Sequence, residues 1–580
     1  MKTSLRNLVA TLALAWCGLG GAWCGLGGSA TDGPQAKPET ADVAVTIRID
    51  AAKTKGEMRP VWRFFGHDEP NYTYMKDGKK LLSQLAALSP ATVYVRIHNL
   101  LTSGDGTPAL KWGSTGAYTE DKEGRPRYDW KIVDRIFDTY LERGIKPYVQ
   151  IGFMPEALSI KPKPYQHEWE PGKNKPLATG WAYPPKDYDK WAELVYQWDK
   201  HCVDKYGRAE VEGWYWEVWN EPNIFYWRGK PEEYHKLYDY SVDAVKRALP
   251  SARVGGPESA GAGKFLRDFL EHCLRGKNYA TGKQGAPLDF IAFHGKGNPR
   301  VVDKHVQMGL ANQLQDVNRG FEIIASFPEL RKKPIVIGEF DPDGCAACPA
   351  TLYPQNAYRN GTLYASNTAA SFARTYELAD KHGVNLEGVL TWAFEFEDQP
   401  YFAGFRVLAS NGIELPVLNL FRMFGLMGGQ RLAVESTGDA GVDTLRQKGV
   451  RGKPDVHALA SLQDGKLCVL TWNYHDDDVP GPTAAVELSL SGLPGTKGPV
   501  LLQHYRIDDR HSNAFTAWKR MGSPQKPTAK QYAELQGAAQ LALLTSPEWL
   551  RTEGGKRTLR LKLPRQAVSL LVFTWEAKSK

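Results

Sequence analysis

Two glutamates stand where strand-like runs stop. Trp214 to Asn223 reads WYWEVWNEPN. Its bulky apolar and aromatic residues suit a buried strand, and Pro222 ends it by fixing φ and removing an amide donor. Glu221 is thereby held at a strand end beside Asn220. The apolar run Pro334–Ile337 likewise ends in a carboxylate, Glu339, after Gly338 and before Phe340 and Asp341. Alone, either carboxylate could simply open a helix. Together they suit the cleavage of a glycosidic bond, in which one carboxyl protonates the leaving oxygen and the other attacks or activates water. Glu221, set among Trp216, Trp219 and Pro222, is expected to be partly desolvated, which favours its neutral form and the acid/base role. Glu339 must stay ionised as the nucleophile, with Arg96 and His294 as candidate donors. Asn220 can hydrogen-bond a sugar hydroxyl next to the reacting carbon. The expected carboxyl separation is about 5–5.5 Å for retention and roughly 6.5–9.5 Å for inversion.

These residues need a frame that brings distant strand ends together. From residue 59 to 428 the sequence alternates strand and helix signals eight times. The strands are Val61–Phe65, Thr92–Ile97, Lys146–Phe153, the Trp214 run, Arg253–Gly256, Leu288–Phe293, Pro334–Ile337 and Leu386–Phe394. Helices are expected at Lys79–Leu88, Trp130–Arg143, Tyr188–Tyr206, Glu232–Ala248, Lys264–Leu274, Asn312–Ser326, Ala369–His382 and Val417–Met427. This predicts an α/β chain built as a (β/α)8 TIM barrel, whose active site lies at the C-terminal ends of the strands. An open doubly wound sheet is disfavoured, because no glycine-rich phosphate turn follows the first strand. Glu221 and Glu339 end the fourth and seventh strands and face each other across the mouth. The other polar rim residues are candidates for substrate binding: His67 and Glu69 after strand one, His98 after strand two, His294 and Lys296 after strand six, Trp392 and Glu395 after strand eight.

The remaining chain frames this barrel. Residues 429–580 carry short strands with Gly/Pro turns, the pattern of an accessory antiparallel β-sandwich. Residues 43–50 alternate at period two, and the segment 43–58 is expected to join it. Residues 1–30 read as an export signal: Lys2 and Arg6, an apolar stretch, then Gly28-Ser29-Ala30. The heptad AWCGLGG is duplicated inside it, and 31–42 form a linker. Secretion to the periplasm or medium is therefore expected. No later run of about 20 apolar residues suggests a membrane span. The net charge of +8 comes from 73 basic and 65 acidic residues spread over 580 positions, without the basic arm or block that nucleic-acid binding calls for. The 18 Trp, 26 Tyr and 21 Phe suit both large cores and sugar-stacking surfaces. Cleavage after Ala30 leaves five cysteines, of which only Cys345 and Cys348 are close in sequence. With no second CxxC and no histidine cluster, a local disulfide is expected in place of zinc, and no metal or cofactor is implied. Oligomeric state is unreadable.

The segments FFGHDEPNYTY, VRIHNLLTSGDG, WEVWNEPN, FIAFHGKG, IVIGEF and TWAFEFED resemble glycoside hydrolase family 39, over most of 60–430. The resemblance implies a retaining barrel enzyme in which Glu221 is the acid/base, Glu339 the nucleophile and Asn220 the 2-hydroxyl contact, with His67, His98 and His294 around the glycone. It includes β-xylosidases and α-L-iduronidases, so the fold does not name the sugar. The first expectation is a retaining exo-glycosidase cleaving terminal β-xylosyl residues. His294-Gly295-Lys296-Gly297 looks more like the iduronidase segment, where a lysine helps hold a uronic acid. Uronic acid or arabinofuranosyl specificity is therefore the alternative, and a carbohydrate-binding wall protein on a dead barrel is the non-enzyme one.

Overall fold

The computed structural model describes residues 42–173, 175–493 and 499–576. The expected export segment and nearly all of the linker lie outside the described residues. Eight parallel strands close into a barrel: Phe64–His67, Tyr94–Ile97, Lys146–Ile151, Tyr215–Val218, Arg253–Ser259, Phe290–His294, Pro334–Glu339 and Asn385–Thr391. Seven neighbouring pairs follow chain order and the eighth strand pairs with the first. All eight segments read from sequence are present, with ends displaced by at most three residues. The exposed-face helices keep their bounds best, as with Tyr188–Tyr206, which starts where the Asp187 carboxylate accepts the amides of Asp189 and Lys190 at 2.9 and 3.0 Å, an N-cap. The helix Thr362–His382 starts seven residues before its expected position. It is buried on nearly all sides between the barrel and the second sheet, so no polar stripe marks its first turns.

Period-two alternation stacks the barrel interior in layers. The lowest is aromatic: Tyr215 meets Tyr94, Tyr148 and Phe290 with ring centroids 5.0–5.1 Å apart, and Phe64 stacks on Tyr94 at 5.2 Å. Two residues further along their strands come Arg96 and Glu217, both fully buried. Buried charges are tolerated only when paired and hydrogen-bonded, and Arg96 Nε donates to Glu217 Oε1 at 2.5 Å. One more step along the strands leads to His98 and Trp219. The aromatic layer therefore acts as a floor, and the charged layer sits directly beneath the mouth.

Beyond the barrel lies a mostly antiparallel ten-stranded sheet. Strand Val43–Glu57 lies within it, antiparallel to Gln430–Ser436 and parallel to Ala484–Ser491. The sheet contains four strands the sequence pattern did not reveal: the short Ala542–Leu543 and Glu548–Leu550, and the longer Gln430–Ser436 and Asp455–Gln463. The latter carries His457 and Ser461 among its apolar residues and is buried over most of its length, which blurs the two-residue period. Helices Ala514–Arg520 and Ala529–Ala538 form an insertion. Sheet and barrel are joined at Arg374, whose guanidinium reaches Asp455 at 2.8 Å and Asp439 at 2.7 Å. Among the described residues no helix is long and apolar enough to cross a membrane.

Candidate active site

Glu221 and Glu339 meet at the mouth. One carboxylate oxygen of each, together with a ring nitrogen of His294, lies within 4.8 Å of the others. The fourth strand ends at Val218, after which Trp219 (φ 72°) and Glu221 (φ 44°) adopt left-handed backbone. That conformation costs non-glycine residues of order 1–3 kcal/mol each and persists only where the surroundings impose it. Here the Glu221 amide donates to the Glu258 carbonyl at 2.8 Å, and Asn223 clasps Ala260 through two bonds of 2.8 and 3.0 Å. The loops after strands four and five thus hold Glu221 jointly. Trp216, expected beside this carboxyl, points outward and packs edge-to-face on Trp198 of the Tyr188–Tyr206 helix, because it alternates with Tyr215 and Glu217. The immediate partner of Glu221 is instead His294, with Nδ1 2.9 Å from Oε1.

Glu339 is buried and surrounded by cations. Lys296 Nζ lies 2.6 Å from its Oε2, and Arg96 Nη1 lies 3.5 Å from its Oε1. Burial alone would raise its pKa, but Lys296, followed by His294, Arg96 and His98, outweighs this and holds the carboxyl well below the usual range. Arg96 and His294 are thus both near, yet Lys296 is the closest cation. The lysine expected to meet a substrate carboxylate is already engaged with Glu339.

Asn220 accepts from Arg96 Nη2 at 2.9 Å through Oδ1, leaving its buried Nδ2 without a partner among the described residues. His98 is similar: Nδ1 is 3.0 Å from Asp68 Oδ1, while Nε2, 4.0 Å from Glu339 Oε1, has no hydrogen-bond partner. Burial lowers the His98 pKa, against the opposing pull of Asp68. Two polar groups therefore remain free beside the carboxylate pair, as a hydroxylated ligand requires. Trp392 covers Arg96 (4.9 Å to the ring centroid) and His98 (4.3 Å between centroids). Gly66 makes room for it, since a Cβ there would fall 2.4 Å from the indole.

Other rim candidates have different partners. His67 is stacked on Phe394 at 4.0 Å, with its nitrogens 3.2 Å from Tyr140 Oη and the Glu69 carbonyl. Burial pushes its pKa down to about 3. Glu69 accepts the Lys111 amide at 2.8 Å, and burial with neighbouring Asp68 pushes its carboxyl up to about 8. Glu395 accepts the Gly412 amide at 2.6 Å and is likewise raised by burial to about 8. These three are tied to the protein framework, and none is bonded to Glu221 or Glu339.

Four residues escaped the sequence reading. Glu217 and Glu258 lie beneath the carboxylate pair. Asp68 and Lys111, paired at 2.5 Å, wall a recess shared with His98, Phe153, Trp181 and Tyr226. A charge inside the otherwise apolar run WYWEVW was a usable signal for Glu217. Lys111 lies in an irregular insertion and offered none. Among the described residues, Glu221, His294 and Glu339 are the one His/carboxylate group compact enough to grip a cation. A metal there would have to displace Lys296 and the imidazole from carboxylates they already engage.

The disulfide expected from the CxxC joins Cys345 to Cys348 in the loop after Glu339. Arg359 donates to the carbonyls of both, at 2.6 and 3.0 Å. Cys202, Cys273 and Cys468 are free and buried.

Comparison with known proteins gives the chain its family and its relatives in fold. The model of glycosyl hydrolases family 39 aligns with residues 45–554. A β-xylosidase of Geobacillus stearothermophilus is 27% identical over 82% of this chain and 85% of its own. An α-L-iduronidase of Mus musculus is 24% identical over 90% and 80%. The crystal structure of a monomeric β-xylosidase from Caulobacter crescentus CB15 superposes with a TM-score of 0.71 at 22% identity, over 92% of this chain and all of that one, a likeness of fold. With its family model matched from the first strand almost to the last, the chain belongs to glycosyl hydrolases family 39.

Proposed function

We propose that this protein is an exo-acting retaining β-xylosidase, with Glu221 as acid/base and Glu339 as nucleophile. The observation that carries the mechanism is the closeness of the two carboxylates, one oxygen of each lying within 4.8 Å, which suits the short spacing of retaining enzymes better than the wide one of inverting enzymes. Glu339 attacks the anomeric carbon as Glu221 protonates the departing oxygen, giving a covalent glycosyl-enzyme. Glu221, now ionised, takes a proton from the water that releases the sugar. Asn220 Nδ2 donates to the 2-hydroxyl, a bond that strengthens as the ring approaches the oxocarbenium ion. The cations around Glu339 keep it ionised, and His98 and Trp392 shape the glycone wall. The xyloside preference is supported by the bacterial β-xylosidase relatives. Export to the periplasm or medium belongs to the same proposal, supported by the Lys2/Arg6 and apolar pattern of residues 1–30, and fractionation of the producing cells tests it.

A panel of aryl glycosides tests the reading. β-Xyloside should be turned over best, and proton NMR should show the retained anomer first. The inverted anomer first would overturn the mechanism, and no turnover of any glycoside would favour a carbohydrate-binding protein. A uronide specificity is the second reading, favoured by Lys296, which stands beside the nucleophile with 14% of its side chain exposed. An arabinofuranoside in the same panel covers the remaining alternative.

A further inference from the structure

Glu258, on the fifth strand, touches neither the expected path of the sugar nor solvent. It is fully buried with left-handed backbone at φ 52°. Its Oε1 accepts from Tyr148 Oη at 2.8 Å, and its Oε2 lies 3.0 Å from His294 Nε2 and 3.8 Å from Arg96 Nη2. Space for this carboxylate is made by Gly338, one residue before Glu339, since a Cβ there would lie 1.7 Å from Glu258 Oε2. On its far side His294 offers Nδ1 to Glu221 at 2.9 Å. The buried chain Glu258–His294–Glu221 is thus continuous from beneath the barrel mouth to the acid/base.

We propose that Glu258 is a positioning residue that fixes a proton on His294 Nε2, so that His294 Nδ1 and Glu221 hold one exchangeable proton between them at the start of each catalytic cycle. This rests on the acid/base reading of Glu221. An ionised Glu258 accepts only, so Nε2 must donate and only Nδ1 remains variable. With the proton on Nδ1, the imidazolium donates to an ionised Glu221. With the proton on Glu221, the carboxyl can pass it to the leaving oxygen. In the second step Glu221 regains a proton from the attacking water as the water oxygen bonds to the anomeric carbon, so the count returns to one.

The surrounding charges keep Glu258 the acceptor. Burial would raise its pKa, but Arg96, Glu217 and His294 together bring it to about 2. Glu217 goes the other way: burial raises its pKa, Arg96 pulls it down, and the Glu258 charge adds to the rise, which prevails. The other groups facing the chain are Tyr148 on strand three, Tyr234 from the helix after strand four, His98 just after strand two, and Glu339 with Lys296. Burial lowers the His294 pKa, but Glu339, Glu221 and Glu258 outweigh it and raise it.

Removing the negative charge of Glu258 makes the one-proton form of the His294–Glu221 pair lose its proton at lower pH. The experiment is the kcat/KM pH profile of Glu258→Gln on an aryl xyloside with a poor leaving group, beside Glu221→Ala and the parent. The alkaline limb of Glu258→Gln should move to lower pH by about one unit or more, while on a dinitrophenyl glycoside, which needs no acid, the rate should change far less. Tyr148→Phe keeps the charge but removes a donor, so its limb should stay or move slightly upward. This variant serves as the test if Glu258→Gln fails to fold, and a limb moved to lower pH would then overturn the proposal. A Glu258→Gln profile that is merely lower, with its limb unmoved, would also overturn it. Loss of the acid/base reading itself would show separately, as Glu221→Ala without effect on the poor leaving group.

Discussion

Lys296 Nζ stands 2.6 Å from Glu339 Oε2, closer than Arg96 at 3.5 Å or His294 at 3.9 Å comes to the same carboxylate. The group that most depresses the Glu339 pKa therefore arises from the loop after strand six and reaches the end of strand seven. Replacing Lys296 with alanine removes this cation while burial still acts. The Glu339 pKa must rise, and a nucleophile needs its ionised form. The acid limb of the kcat/KM profile should move to higher pH by about one unit or more. The same variant separates the two specificities: KM for a neutral xyloside should change little, whereas KM for a uronide should rise. An unmoved acid limb would show that Lys296 does not set the charge of Glu339.

Glu221→Ala should slow the glycosylation of a poor leaving group by about 10²–10⁴-fold, the usual worth of a general acid. Azide should restore turnover of an activated xyloside and give the glycosyl azide with retained configuration, because a small anion can enter where the carboxylate stood. Glu339→Ala should be inactive on both poor and activated substrates. Rescue of Glu339→Ala rather than Glu221→Ala by azide, with retention, would exchange the two assignments.

Gly338 faces the Glu258 carboxylate too closely for any side chain. Gly338→Ala would force either strand seven or Glu258 to shift, at about 1–3 kcal/mol for overpacking. The expected outcome is a lowered thermal midpoint together with a fall in kcat, because the displaced strand carries Glu339 at its next residue. Unchanged melting and unchanged kcat would show that the barrel relaxes around the added methyl at no cost.

Asp199, on the helix Tyr188–Tyr206, is fully buried with both oxygens unpartnered among the described residues, and burial pushes its pKa up to about 8. Between the unfolded value near 4 and this folded value, the native state binds the extra proton, so stability falls as pH rises through that window. The slope from this group is at most about 1.4 kcal/mol per pH unit. Asp199→Asn should therefore flatten the decline of the melting temperature between pH 5 and 8. Parallel curves for the parent and the variant would contradict the assignment.

The sequence by itself determined the eight-fold alternation, the two glutamates at its fourth and seventh strand ends, and the residues Asn220, His98, His294 and Lys296 close around them. These features are local: a proline stops a strand, an apolar run is buried, a polar residue is left at the rim. Only the tertiary structure decided what each rim side chain touches. Direction across a strand put Trp216 on the outer layer instead of beside Glu221, and loop packing tied His67, Glu69 and Glu395 into the framework. Helix Thr362–His382, buried on nearly every face, had no stripe to announce its start. Glu217 and Glu258 are the sharpest case. Their charges are interpretable only once Arg96, His294 and the space left by Gly338, each from a different strand, are known to converge on them. Strand closure alone brings such residues together, because the pairing that sets them side by side joins segments 36 to 243 residues apart in the chain.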